Sequence, residues 1–313
     1  VAATFPEWIE RQTLVARNLR VVFVPTLKSG CTSVMWALAE AEGTLASDHD
    51  ISELGDQSRE QTIHNPRIHG LPVLASLDAA ERNEVLDSPD WTRFCVTRDP
   101  YARLVSAWLN RAFLYSTGAE QFFVSPDPDL GVISASGDVA VDVGALFRSF
   151  VGRLVSAGAT KTVDPHFAPQ YSLIRPDVFP YTDVVALTEL REFAAGLDRR
   201  LDRRIGSAAA FTPVARNVSL GLGPDDVVDS STAALIERFY ADDFDRLGYA
   251  PRTFPSQAPP LVFSAREMAL VRMLHERSDR LRELATVKNP PRPWRDGARR
   301  IRRAIGRRVR RTR

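Results

Sequence analysis

VVFVPTLKSGCTSVMW, residues 21–36, decides how the rest of this chain is read. Val21, Val22, Phe23 and Val24 form a short β-branched and aromatic run, the pattern of a strand covered on both faces. Pro25 has no N–H to give to a ladder and ends the run. Gly30 permits a backbone turn closed to most residues. Thr32 and Ser33 offer caps for a helix whose apolar face begins at Val34, Met35, Ala37 and Leu38. That helix is expected to reach about Glu42, with Gly43 as its stop. A strand, tight loop and helix in this order aim unpaired N–H groups and the positive end of a helix dipole at one point. An anion, most often a phosphate, is the natural occupant. Lys28 adds a full positive charge there.

The second informative stretch is RFCVTRDPYARLVSAWLNR, residues 93–111. Phe94, Cys95 and Val96 suit another buried strand. Asp99 followed by Pro100 marks a helix start: the carboxylate accepts from free N–H groups, and proline fits the first helical position. Arg103, Ser106 and Asn110 follow at steps of three and four, on one face with Asp99, while Leu104, Val105, Ala107 and Trp108 supply the buried side. Arg98, with its planar fork, and Ser106, a short donor from the helix, suit one phosphate. Two strand-to-helix junctions in this order are what a doubly wound sheet needs to hold a nucleotide at its carboxyl edge.

The remaining segments are read more coarsely. Trp8, Ile9, Leu14 and Val15 suggest a short N-terminal helix. Residues 44–70 are polar and hold His49, His64 and His69, and Leu71–Leu86 has leucine-spaced helical character. Residues 116–142, rich in Ser, Gly, Pro and Asp, read as a lid on the acceptor side. An amphipathic helix is expected over Val143–Ala157, a buried strand over Asp183–Leu187 and a helix over Leu190–Leu201. A proline-rich link at 251–263 then leads to a charged amphipathic helix, Ser264–Val287, suited to packing on the domain or on a second copy in a homodimer. The division is a domain over 1–255 and a helical, arginine-rich extension over 256–313.

Length and composition bound the class. The chain has 313 residues, 44% apolar and 26% charged, as in an ordinary globular protein. No apolar run is long enough to span a bilayer, and the N-terminal stretch lacks the layout of a signal peptide, so a cytoplasmic location is expected. Cys31 and Cys95 read as two buried thiols rather than a disulfide framework, and no His/Cys spacing suggests a metal. The only lysines are Lys28, Lys161 and Lys288, which makes a lysine inside the glycine loop notable. Residues 292–313 carry eleven arginines and one aspartate, a local +10 that leaves −8 for the rest of a +2 chain. The basic character is therefore a tail, open to solvation or to contact with an anionic membrane surface, and no nucleic-acid groove is expected.

The loop departs from the nucleoside-triphosphate pattern G-x-x-x-x-G-K-[ST], because Lys28 precedes Gly30 and no earlier glycine frames it. The order Lys28-Ser29-Gly30-Cys31-Thr32-Ser33 instead resembles the 5′-phosphosulfate loop of sulfotransferases, which use 3′-phosphoadenosine 5′-phosphosulfate (PAPS). Arg98-Asp99-Pro100-Tyr101-Ala102-Arg103-Leu104-Val105-Ser106 resembles their 3′-phosphate motif. Asp164-Pro165-His166-Phe167-Ala168-Pro169-Gln170 is similar to the His-aromatic-x-Pro-Gln segment of the carbohydrate group, sulfotransferase family 2. Thr188-Glu189, Pro213–Ser219 and Tyr240–Tyr249 resemble that group's later elements, so the likeness covers about residues 20–250.

The resemblance implies an α/β fold of three layers, with a central, mainly parallel, P-loop-like sheet. It implies a PAPS-dependent transferase without a metal, acting on a hydroxyl-bearing acceptor: a carbohydrate, a glycolipid or a metabolite. Lys28, Ser29, Gly30, Cys31, Thr32 and Ser33 would hold the 5′ end, and Arg98, Ser106 and Arg216 the rest of the nucleotide. His166 is the candidate general base, with His69 second and Glu189 a carboxylate alternative. Two other readings use the same residues: a small-molecule kinase taking ATP, and a nucleotide-fold binding protein docking on membranes through its basic tail, whose location would then be peripheral at the inner membrane face.

Overall fold

The computed structural model describes residues 5–47, 61–114, 140–158, 164–205, 211–214 and 220–288. Arg216, most of the 116–142 insertion and the arginine-rich 292–313 segment lie outside these.

Four strands form the central sheet: β1 (Leu14–Ala16), β2 (Val21–Val24), β3 (Thr92–Thr97) and β5 (Asp183–Ala186), in the order β1-β2-β3-β5. β2, β3 and β5 run parallel, with Phe23 opposite Phe94 and Cys95 opposite Val184, while β1 joins β2 antiparallel. Alternation explains the all-apolar sequence of β2 and β3. Val21, Phe23, Phe94 and Val96 enter a core shared with the Cys31–Glu42 helix and the start of the Leu190–Ile205 helix. Val22, Val24 and Cys95 enter a second core with Ile9, Leu74, Val85, Ile174 and Phe179 on the other face. The expected mainly parallel α/β architecture is present.

A third core joins the Pro100–Trp108, Val143–Gly158 and Ser230–Phe239 helices around Trp108, Phe113, Phe147 and Phe150. A small antiparallel pair, β4 (Val141–Asp142) and β6 (Val262–Phe263), borders it. The Ala265–Lys288 helix starts at Ser264, whose N–H donates to the Glu267 carboxylate at 2.7 Å, and Met268 and Val271 pack into this same core.

Several elements depart from expectation. The N-terminal helix covers only Glu7–Gln12, and Leu14 and Val15 lie in β1, where they satisfy the open edge of β2. Leu71–Leu86 is not one helix. The Val15 N–H donates to Pro72 O (3.0 Å) and the Leu74 N–H to Thr13 O (3.0 Å), which holds this stretch extended until Leu74–Ser76 turns. The helix proper, Ala79–Asp87, begins only where Asp78 caps it. β5 is a sheet edge rather than a buried strand, with Val184 43% exposed, because only one neighbour covers it. The Cys31–Glu42 helix ends as expected at Gly43 (φ 76°). The Glu42 carboxylate accepts from the Asn18 and Leu19 N–H groups (2.8 and 3.1 Å), tying that end of the helix to the turn before β2.

Candidate active site

The first junction follows β2. Gly30 is the N-cap of the Cys31–Glu42 helix at φ 79°, and a Cβ there would stand 2.9 Å from Leu187 Cδ1. Thr32 and Ser33 therefore lie inside the first turn rather than capping it. Lys28 also has a positive φ (67°), an uncommon conformation for a side-chain-bearing residue. Two left-handed residues flanking Ser29 bend the chain tightly enough to bring Lys28 back to the helix start. Burial pushes the Lys28 ammonium down to about 8, and the charges of Arg111, Arg98 and Arg103 act in the same direction. Lys28 is thus half-buried with three guanidinium groups near it, of which Arg111 is paired with Asp164.

The second junction follows β3. Asp99 accepts from the Ala102 N–H (2.8 Å) with Pro100 at the first helical position, as expected. Arg98 reaches back to the first loop, its Nη1 donating to Lys28 O at 3.2 Å, so the two loops adjoin. Ser106 lies half-buried two turns into the same helix. Arg103, placed on the polar face by spacing, is 1% exposed. Its guanidinium donates to three carbonyls: Leu27 in the first loop (2.9 Å), and Ala168 (2.8 Å) and Pro165 (3.3 Å) on either side of His166. These neutral acceptors satisfy its hydrogen bonds while its charge remains directed at the loop.

The third segment supplies a proton acceptor. His166 Nδ1 lies 2.7 Å from Asp164 Oδ1, which also accepts the His166 backbone N–H (2.9 Å). An ionised carboxylate only accepts, so Nδ1 carries the proton and the Nε2 lone pair is left for chemistry. Asp164 is 1% exposed, and its Oδ2 accepts from Arg111 at 3.0 Å. Burial works against its charge, but the hydrogen bonds from His166 and the Arg111 charge hold its carboxyl well below the usual carboxylate range. Arg111 sits in a π-helical turn, Leu109–Phe113, that widens the end of the Pro100–Trp108 helix. Burial lowers the His166 pKa against the pull of Asp164, a shift that favours the neutral ring.

The other histidines have different surroundings. His69 is 2% exposed, and its Nδ1 accepts from the Leu71 N–H (3.0 Å), the environment of a packed structural histidine. His64, not singled out by sequence, is exposed, with Nε2 3.1 Å from Thr32 Oγ1 at the start of the Cys31–Glu42 helix. Glu189 is exposed on the Leu187–Glu189 turn. Cys31 and Cys95 are free and buried. Among the described residues no group of three or more His, Cys, Asp or Glu side chains is arranged to hold a metal, and no helix is long and apolar enough to cross a membrane.

The class these features define is an α/β protein with two cationic loops at neighbouring parallel-strand tips and an oriented histidine beside them. The model of the sulfotransferase family, the one called family 2, matches residues 11–250, and the chain belongs to that family. The searches of curated proteins and of solved structures gave no match.

Proposed function

We propose that the chain moves a sulfuryl group from PAPS to a hydroxyl of a carbohydrate or glycolipid, releasing 3′-phosphoadenosine 5′-phosphate (PAP). The observation that carries the reading is the meeting of the two loops, with Arg98 bonded to the Lys28 carbonyl and His166, oriented by Asp164, within electrostatic reach of Lys28. When bound, the donor supplies an activated sulfuryl group whose leaving group is a phosphate. The Lys28 ammonium and the open end of the Cys31–Glu42 helix stabilise charge on that leaving oxygen. Arg98 and Ser106 hold the 3′-phosphate and select PAPS over ordinary adenine nucleotides. The His166 Nε2 lone pair takes the proton of the acceptor hydroxyl as attack proceeds in line.

The test is transfer of radiolabelled sulfate from PAPS to a panel of glycans and glycolipids, alongside thermal shifts with PAP and with ATP–magnesium. PAP should stabilise the chain more than ATP does, and His166→Ala should lose about a hundredfold in turnover while PAP affinity holds. Stabilisation by ATP–magnesium but not by PAP would instead point to a kinase.

A further inference from the structure

We propose that Gln170 is a positioning residue that fastens the two phosphate grips to each other, so that both ends of the donor are bound as one unit. This rests on the PAPS reading. Gln170 is wholly buried, and its amide is fully engaged. Oε1 accepts from Ser29 Oγ (2.9 Å) and from the Arg98 backbone N–H (2.9 Å). Nε2 donates to Arg98 O (2.8 Å) and to Asp243 Oδ2 (3.3 Å). One oxygen is thus shared between the loop that carries Lys28 and the strand tip that carries Arg98. The spacing of the two loops is held by a side chain whose own polar partners are all protein groups.

Gln170 is held from behind. Asp243, buried on the Ala241–Leu247 helix, accepts the Gln170 N–H (2.9 Å) and the Tyr171 N–H (2.8 Å). Burial raises the Asp243 carboxyl, and these bonds and the Arg103 charge oppose it. A buried carboxylate that accepts two main-chain N–H groups and the Gln170 amide fixes both the backbone of the segment and the reach of the side chain. The geometry therefore separates two jobs. Lys28 and Arg98 meet the anion, while Gln170 decides whether they meet it at matched spacing.

The distinguishing readout is a pair of affinity ratios, measured by calorimetry with PAP, adenosine 5′-phosphate and adenosine 3′-phosphate. PAP against adenosine 5′-phosphate reports the 3′ grip, and PAP against adenosine 3′-phosphate reports the 5′ grip. Gln170→Met keeps the shape but removes every polar contact, and should lower both ratios together by about tenfold, a coupling usual for groups in one hydrogen-bond network. Arg98→Ala should lower only the first. A purely structural role would lower the melting temperature and weaken all three ligands by one factor, leaving the ratios unchanged, and that result overturns the proposal. If Gln170→Met does not fold, Ser29→Ala decides: it removes one bond to the shared oxygen and leaves the Arg98 strand tip intact, so the ratio of PAP to adenosine 5′-phosphate should fall although Ser29 lies in the other loop, and an unchanged first ratio refutes the role. Wild-type protein that fails to bind PAP removes the donor reading itself, whereas wild-type binding with unchanged variant ratios removes only Gln170.

Discussion

The two helix starts at the tips of β2 and β3 are built in opposite ways. At the first, the cap is Gly30, which has no side chain to give, and the helix end is left open. At the second, the Asp99 carboxylate already occupies the helix end, and Pro100 removes one N–H. An open end attracts an anion through the backbone; a capped one has its own anion built in. The first junction can therefore bind phosphate with its main chain and add Lys28. In the reading proposed above, the second relies on the Arg98 and Ser106 side chains. In that reading the reacting end of the donor meets preorganised backbone dipoles, and the selecting end meets a guanidinium that reads geometry.

Substitutions can break this contrast. Lys28→Ala should have the largest effect, lowering turnover in the sulfate-transfer assay by about a hundredfold or more. Its melting temperature should be unchanged or higher, because burial disfavours the charged lysine in the folded state. Arg98→Ala should reduce the preference for PAP over adenosine 5′-phosphate by about ten- to a hundredfold in a calorimetric titration, the range of charged hydrogen bonds.

The pH dependence of PAP affinity sharpens the first junction. The free Lys28 pKa is lowered to about 8, and an anion binds the protonated form. Affinity should be level below pH 8 and then weaken by up to about tenfold per pH unit above it. Titrations at pH 7 to 9.5 check this, and Lys28→Arg should remove the fall. Gly30→Ala puts a Cβ on a left-handed residue against Leu187, and a thermal melt should show a loss of about 1–2 kcal/mol. Asp99→Ala is the smallest change. It should cost about 1 kcal/mol of stability, the value of a cap, while PAP affinity holds or rises as that helix end opens.

Much of this was legible in the sequence. A β-branched run ending at Pro25, Gly30 before an apolar helical face, and Asp99-Pro100 each dictate local structure through sterics or capping, and each stands where expected. The Lys28 and Arg98 loops adjoin because parallel strands bring their carboxyl ends together. What pattern could not show was long-range hydrogen bonding. Leu14 and Val15 have no local reason to be a strand; the edge of β2 supplies it. Arg103 has the helical spacing of a polar face, yet three distant carbonyls draw it inside. Gln170 looked like a motif letter, and its partners lie 141, 72 and 73 residues away. The Asp164–His166 bond is the exception: an aspartate two residues before a histidine is a local pairing that sequence spacing alone can suggest.

The Cys31–Glu42 helix is a rod of about 18 Å, clamped at one end by the phosphate-loop turn and at the other by bonds from Glu42 to Asn18 and Leu19. Those two residues lead straight into β2, whose far tip opens the loop. Strand and rod thus close a ring, like the tongue and frame of a buckle, and a slackening at its back reaches the front through rigid elements alone.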